Sequence, residues 1–146
     1  MDSSYSYQFY EYSFLQVYQE NIEIKLQQID LFLKTTPEKL NIENTIDLLD
    51  ISKEEIQQLM IKYNIDSINP SSFFIIMVLG SSYICGLLRR QLQRGHKEVY
   101  SKEDIAYIYQ INPEKIDIAL DKSQINEITS ENLKQLFKYI PVCIVE

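Results

Sequence analysis

Two stretches of this chain, LLDISKEEIQQLM at 48–60 and IYQINPEKIDIAL at 108–120, stand 60 positions apart and overlay without a gap. The shift pairs Leu48 with Ile108, Ile51 with Ile111, Glu54 with Glu114, Ile56 with Ile116 and Met60 with Leu120. It continues through Ile65 with Ile125, Ile68 with Ile128, Phe73 with Leu133 and Met77 with Phe137. A correspondence of 30 ungapped positions predicts two similar units, each a short helix, a turn, a second helix, an I-x-x-I turn and a third helix. Two αα-hairpins that merely look alike would give the same pattern.

The connecting sequence is punctuated for helices. Asn69 before Pro70 and Asn112 before Pro113 read as N-caps with proline at the first helical position, and Thr36 before Pro37 reads the same way. SKEE from Ser52 and SKED from Ser101 resemble capping boxes. Only three Gly and four Pro interrupt a chain of 146 residues that is 45% hydrophobic, a length and composition suited to one domain. The expectation is an all-α, compact helical domain over 1–146. It comprises an N-terminal arm and long first helix within 1–34, a first helical unit at 37–94, a second at 95–140 and a short tail at 141–146 that is extended or disordered. Helices are predicted at 10–34, as two short ones near 37–49, and at 52–63, 70–94, 102–110, 113–122 and 130–139.

FFIIMVLGSSYICGLL, residues 73–88, carries no charge. At 16 residues it falls short of the roughly 20 that a membrane helix needs, so it is expected to be a buried central helix, with Gly80, Ser82 and Gly86 allowing close approach of its neighbours. The first helix carries one apolar stripe through Leu15, Tyr18, Ile22, Leu26, Ile29 and Leu33, and a second through Phe14, Val17, Ile24 and Leu31. A face this broad is compatible with docking on its own domain or with a homodimer through helix 10–34. Upstream, YSYQF alternates like a strand or forms a sticky arm.

Each repeated unit resembles a helix-turn-helix at particular residues. Ala106, Gln110, Ile111, Ile116 and Ala119 fill the motif's roles in the second unit, and Ile46, Asp50, Ile51, Ile56 and Leu59 fill them in the first; the resemblance covers about 44–63 and 103–122. The resemblance implies a fold built of two such units and, for a DNA-binding member, a recognition helix presenting Asn112, Lys115 and Lys122. Two departures stand out. Glycine usually takes the turn position, where Gln110 bears a Cβ penalty, and Glu54, Glu55, Glu114, Asp117 and Asp121 place carboxylates where a phosphate backbone would pass.

Charge points the same way. A net charge of −7 and a pI near 4.8 disfavour DNA and anionic membrane surfaces. Against this, all three arginines, Arg89, Arg90 and Arg94, fall within six residues and are followed by His96 and Lys97. Arg89, Arg90, Arg94 and Lys97 are therefore candidates for binding a phosphate or an acidic partner. The competing account is that cations at a helix end answer its dipole and Gly95 stops it.

Nothing in the sequence has the spacing of a metal site, a glycine-rich phosphate loop or a nucleophile with its base, so no cofactor, metal or catalytic residue is expected. Cys85 and Cys143 sit in apolar surroundings that suit inert thiols in a reducing compartment. The opening residues lack a secretory pattern, which leads to a cytoplasmic expectation; the abundance of Ile, Lys, Asn and Tyr fits an AT-rich bacterial genome. The functional expectation is a non-enzymatic regulatory protein acting through a protein partner. The alternative is a helix-turn-helix transcriptional regulator that binds DNA as a dimer.

Overall fold

A computed structural model describes residues 11–35 and 41–143. Its order is β1 (Glu11–Ser13), α1 (Phe14–Val17), a wider π-helical stretch (Tyr18–Glu23), α2 (Ile24–Thr35), α3 (Ile42–Leu49), α4 (Lys53–Lys62), α5 (Pro70–Leu79), α6 (Tyr83–Arg94), α7 (Lys102–Tyr109), α8 (Pro113–Ser123), α9 (Leu133–Phe137) and β2 (Pro141–Cys143). The fold is all-α apart from the antiparallel pairing of β1 with β2 and an isolated bridge between Tyr100 and Ile128. The chain divides into two units, one of residues 22–95 and one of residues 1–21 with 96–146.

The unit of residues 22–95 is built from α2 to α6. Asn41 caps α3, Ser52 caps α4 and Asn69 caps α5, each side chain accepting a backbone N–H of the first turn. Leu49, Ile51, Ile56, Ile68, Phe73 and Ile76 fill its core. Phe32 of α2 rests against Phe73, with ring centroids 5.7 Å apart.

The other unit closes on an aromatic cluster. Phe14, Tyr109 and Phe137 pack edge to face, with Phe14 and Phe137 centroids 4.8 Å apart and Tyr109 and Phe137 5.0 Å apart, and Tyr18 tilts against Phe137 at 5.1 Å. Backbone ties hold the same place: Phe14 N–H donates to Ile140 O at 2.7 Å, and β1 pairs with β2 from Glu11 opposite Cys143 to Ser13 opposite Pro141.

Under the 60-residue shift the two units, each taken by itself, share a series of local features, although α5 (Pro70–Leu79) and α9 (Leu133–Phe137) differ in extent. α3 and α7 occupy 42–49 and 102–109, and each ends in a left-handed residue, Asp50 at φ 55° and Gln110 at φ 58°. The following helices are capped by Ser52 and Asn112, and left-handed residues recur at Asn64 (φ 54°) and Gln124 (φ 62°). Asn69 and Ser72 exchange reciprocal side-chain bonds with each other's N–H, as Thr129 and Asn132 do. Buried positions coincide at Leu49 and Tyr109, Ile51 and Ile111, Ile56 and Ile116, Ile68 and Ile128, Ile76 and Leu136, and Met77 and Phe137.

Several expected elements are corrected. The central helix 70–94 is two helices bent by 98°. Gly80 is extended (ψ 156°), Ser82 caps α6 by accepting from Cys85 N–H, and Ser81 is held by Glu55, N–H to Oε2 at 2.8 Å and Oγ to Oε1 at 2.6 Å. The first helix starts at Phe14 because Ser13 turns out of strand β1 and caps it, its N–H donating to Gln16 Oε1 at 2.9 Å. α9 is confined to Leu133–Phe137, since Thr129 and Asn132 bond each other in the turn before it. The expected cap at Thr36 and the YSYQF arm lie outside the described residues. Among the described residues, no single helix is long and apolar enough to cross a membrane.

Candidate functional site

The arginine cluster is largely absorbed by the fold. Arg89 reaches back along the bend, its Nη1 donating to Val78 O at 2.8 Å and Gly80 O at 3.3 Å, and so satisfies carbonyls that the end of α5 leaves open. Arg90 lies over the Tyr83 ring with Cζ 5.6 Å from its centroid. Gly86 makes that possible, since a Cβ there would stand 2.7 Å from Arg90 Nη1. Burial pushes the Tyr83 phenol above its ordinary range, against the pull of Arg90. Arg94 is half-buried in the last turn of α6, which Gly95 ends at φ 77°.

Lys97, grouped with the arginines by sequence, belongs to the other unit. Its Nζ grips both oxygens of Asp104 at 2.9 and 2.8 Å, and the Asp104 carboxylate is 2% exposed. Asp104 also accepts Ser101 N–H at 3.0 Å as half of a capping box. Desolvation alone would raise the Asp104 carboxyl; Lys97 and the N–H and hydroxyl of Ser101 outweigh it and hold the pKa at about 2.

The three residues proposed for a reading helix all belong to α8 and its N-cap. Asn112 is the N-cap of α8, accepting Glu114 N–H at 2.9 Å. Lys115 donates to Pro141 O at 3.2 Å, while Lys122 is exposed at the far end of the helix. Asp117 is paired with Lys102 at 3.0 Å, and Glu114 and Asp121 are exposed beside it. The surface of α8 is thus mainly carboxylate with an exposed Ile118.

Sequence reasoning singled out Ile24, Leu31 and Leu33 on the first helix and missed the other places where large apolar side chains meet solvent. Of the thirteen exposed ones among the described residues, ten lie in the unit of residues 22–95. Ile61, 78% exposed, borders a shallow groove of about 580 Å³ together with Gln57, Met60, Asn64, Ile65 and Asp66 at the end of α4. The signal was present: Ile61 and Lys62 follow the last buried turn of α4, where the equivalent residue of α8 is Asp121.

Chemical groups for catalysis are sparse. Burial raises the Cys85 thiol, whose Sγ lies 3.8 Å from Leu49 O, so little of it is thiolate. Among the described residues no three His, Cys, Asp or Glu side chains converge as a metal site would require. Compared with family models, with curated proteins and with solved structures, the chain matches none of them.

Proposed function

We propose that this chain is a non-enzymatic regulatory protein that acts through protein contacts. One observation carries the reading: among the described residues, exposed large apolar side chains are concentrated in one unit, including the Ile61 groove, while Arg89, Lys97 and Lys115 are engaged within the fold. Where such side chains adjoin, as Met60, Ile61 and Ile65 do along the groove, desolvating them on contact with a protein partner drives association. The second reading, DNA binding, draws support from the left-handed turn at Gln110 between α7 and α8. The carboxylates of α8 and the net charge of −7 weigh against it.

A photo-crosslinking side chain in place of Ile61 tests the first reading in the cells that make the protein. The expected result is one dominant protein adduct that disappears with an added Met60→Asp change. Retardation of duplex DNA that weakens with salt and is abolished by Lys122→Glu would overturn it in favour of the second.

A further inference from the structure

Helix α5 is apolar on every side, and such a helix is ordinarily covered on every side. From Ser67 to Leu88 the sequence holds no charge. One side of α5 is covered, through Ser72, Phe73, Ile76 and Met77. The other is open: at 3.6 residues per turn Phe74, Val78, Ser71, Ile75 and Leu79 follow one another across an arc of roughly 140°. Phe74, Ile75 and Leu79 are 45%, 37% and 40% exposed, and Tyr83, at the start of α6, is 45% exposed.

The chain contains its own control for this face. At the places of Phe74, Ile75 and Val78, 60 residues on, stand Lys134, Gln135 and Lys138, all exposed. Beneath them Leu136 and Phe137 are buried, as Ile76 and Met77 are. The local geometry therefore does not demand apolar residues on the outside; where the matching face meets water, it is polar.

We propose that the outer face of α5 docks against the same face of a second copy of this chain. This rests on the protein-contact reading above and names the partner. Charge selects that partner. Copies of a chain with net charge −7 repel, yet the unit of residues 22–95 holds eight Lys and Arg against nine Asp and Glu, and α5 holds none of either. Two α5 helices bring no charge of their own into contact, with the Arg90 guanidinium over Tyr83 and the Glu55 carboxylate on Ser81 at the rim, while a strongly acidic or basic partner finds nothing on the helix itself to pair with. The competing face on α2, Ile24 and Leu31, is interrupted by Gln27 and Gln28 and flanked by the Lys34–Asp30 pair.

Area sets the strength. Partly exposed aromatic and aliphatic side chains of this kind offer on the order of 350 Å² per copy, against ~800 Å² per partner, more than half of it apolar, in a stable interface. The stripe supplies most of an interface core, with Ser71 and Ser81 at its rim, and gives a dimer in exchange with monomer.

Sedimentation of the full chain from about 1 to about 200 μM tests this, a range that spans micromolar association. It is run beside the variant Phe74→Lys, Ile75→Gln, Val78→Lys, which installs the residues found 60 positions on, and beside Ile75→Gln alone in case the triple change perturbs folding. The wild type is expected to pass from monomer to dimer. The triple variant stays monomeric with an unchanged circular dichroism spectrum, Ile75→Gln weakens the dimer at least tenfold, and Leu31→Gln dimerises as wild type. A wild type monomeric throughout, a dimer indifferent to both α5 variants, or one lost on Leu31→Gln overturns the proposal. So does a monomer that floats with phosphatidylcholine vesicles through α5, which would assign the face to lipid. The Ile61 crosslink is scored independently, so the loss of self-association and the loss of protein contact are told apart.

Discussion

Gln110 occupies a left-handed turn, φ 58°, where glycine is the usual choice, and its side chain accounts for the difference. The amide Nε2 donates to Tyr107 O at 2.7 Å, capping the last turn of α7; Gln124, at φ 62°, does the same to Asp121 O at 2.9 Å. The backbone cost of a Cβ in this region is offset by a bond that glycine cannot make. Gln110→Ala keeps the cost and loses the bond, whereas Gln110→Gly loses both, so Gly should exceed Ala in stability by about 1 kcal/mol and lie near wild type. Urea denaturation of the three proteins checks the order, and equal stability of Ala and Gly would refute it. Asp104 yields a second residue-scale expectation. Its folded pKa of about 2 lies below the ordinary 3.8, so its stabilisation is complete above pH 4 and is lost as pH falls from about 4 towards 2. Asp104→Asn should flatten that part of the stability profile. At pH 7 it should cost about 1–3 kcal/mol, less than for a fully buried pair because Lys97 is 41% exposed and can be hydrated. Chemical denaturation across pH 2–5 measures both effects.

At the scale of elements, the helix starts at Ser52, Asn69, Ser101 and Asn112 were legible because N-capping is local: the deciding side chain lies two or three residues from the N–H that it satisfies. The break between α5 and α6 was hidden in an uncharged apolar run, and its determinants come from afar. Glu55 holds Ser81 across 26 positions, and Ser82 Oγ donates to Leu49 O at 2.6 Å across 33. Gly80 is the tightest point of the bend, because a Cβ there would stand 2.6 Å from Cys85 Sγ and 3.2 Å from Ile76 O. Gly80→Ala should therefore destabilise by about 1–3 kcal/mol, and Cys85→Ala, which vacates a buried site, by about 1–2 kcal/mol. Removing the sulfur relieves the clash, so the double variant should lose less than the two single losses combined, with a coupling of at least about 0.5 kcal/mol. Strict additivity in a double-mutant cycle would show that the bend does not depend on this contact.

For the molecule as a whole, the sequence revealed the helical class, but not the grouping of residues 1–21 with 96–146. That grouping rests on Phe14 meeting Tyr109 and Phe137, and on β1 meeting β2, contacts about a hundred residues apart that no local pattern announces. Charge density along the sequence marked Arg89, Arg90 and Lys97 as candidates, and three-dimensional placement adds what no local pattern announces: the carbonyls, the ring and the buried carboxylate that these side chains engage. The division also sorts charge. The unit formed by 1–21 and 96–146 holds six Lys against twelve Asp and Glu, while the other is near balance and uses its charges in pairs such as Lys25–Asp50 and Lys34–Asp30. Screening should act on the two with opposite sign. At about 0.3 M NaCl the Debye length falls to roughly 6 Å, which relieves self-repulsion in the acidic unit and weakens exposed attractive pairs in the balanced one. The chain has no Trp, so single reporters can be placed at Tyr18→Trp in the aromatic cluster and at Phe32→Trp beside Phe73. Raising NaCl from about 0.02 to 0.3 M should increase the urea midpoint seen by the Tyr18 reporter and leave the Phe32 midpoint unchanged or slightly lower. Coincident transitions that shift together would mean that the acidic and balanced units unfold as one, and would sink the expectation.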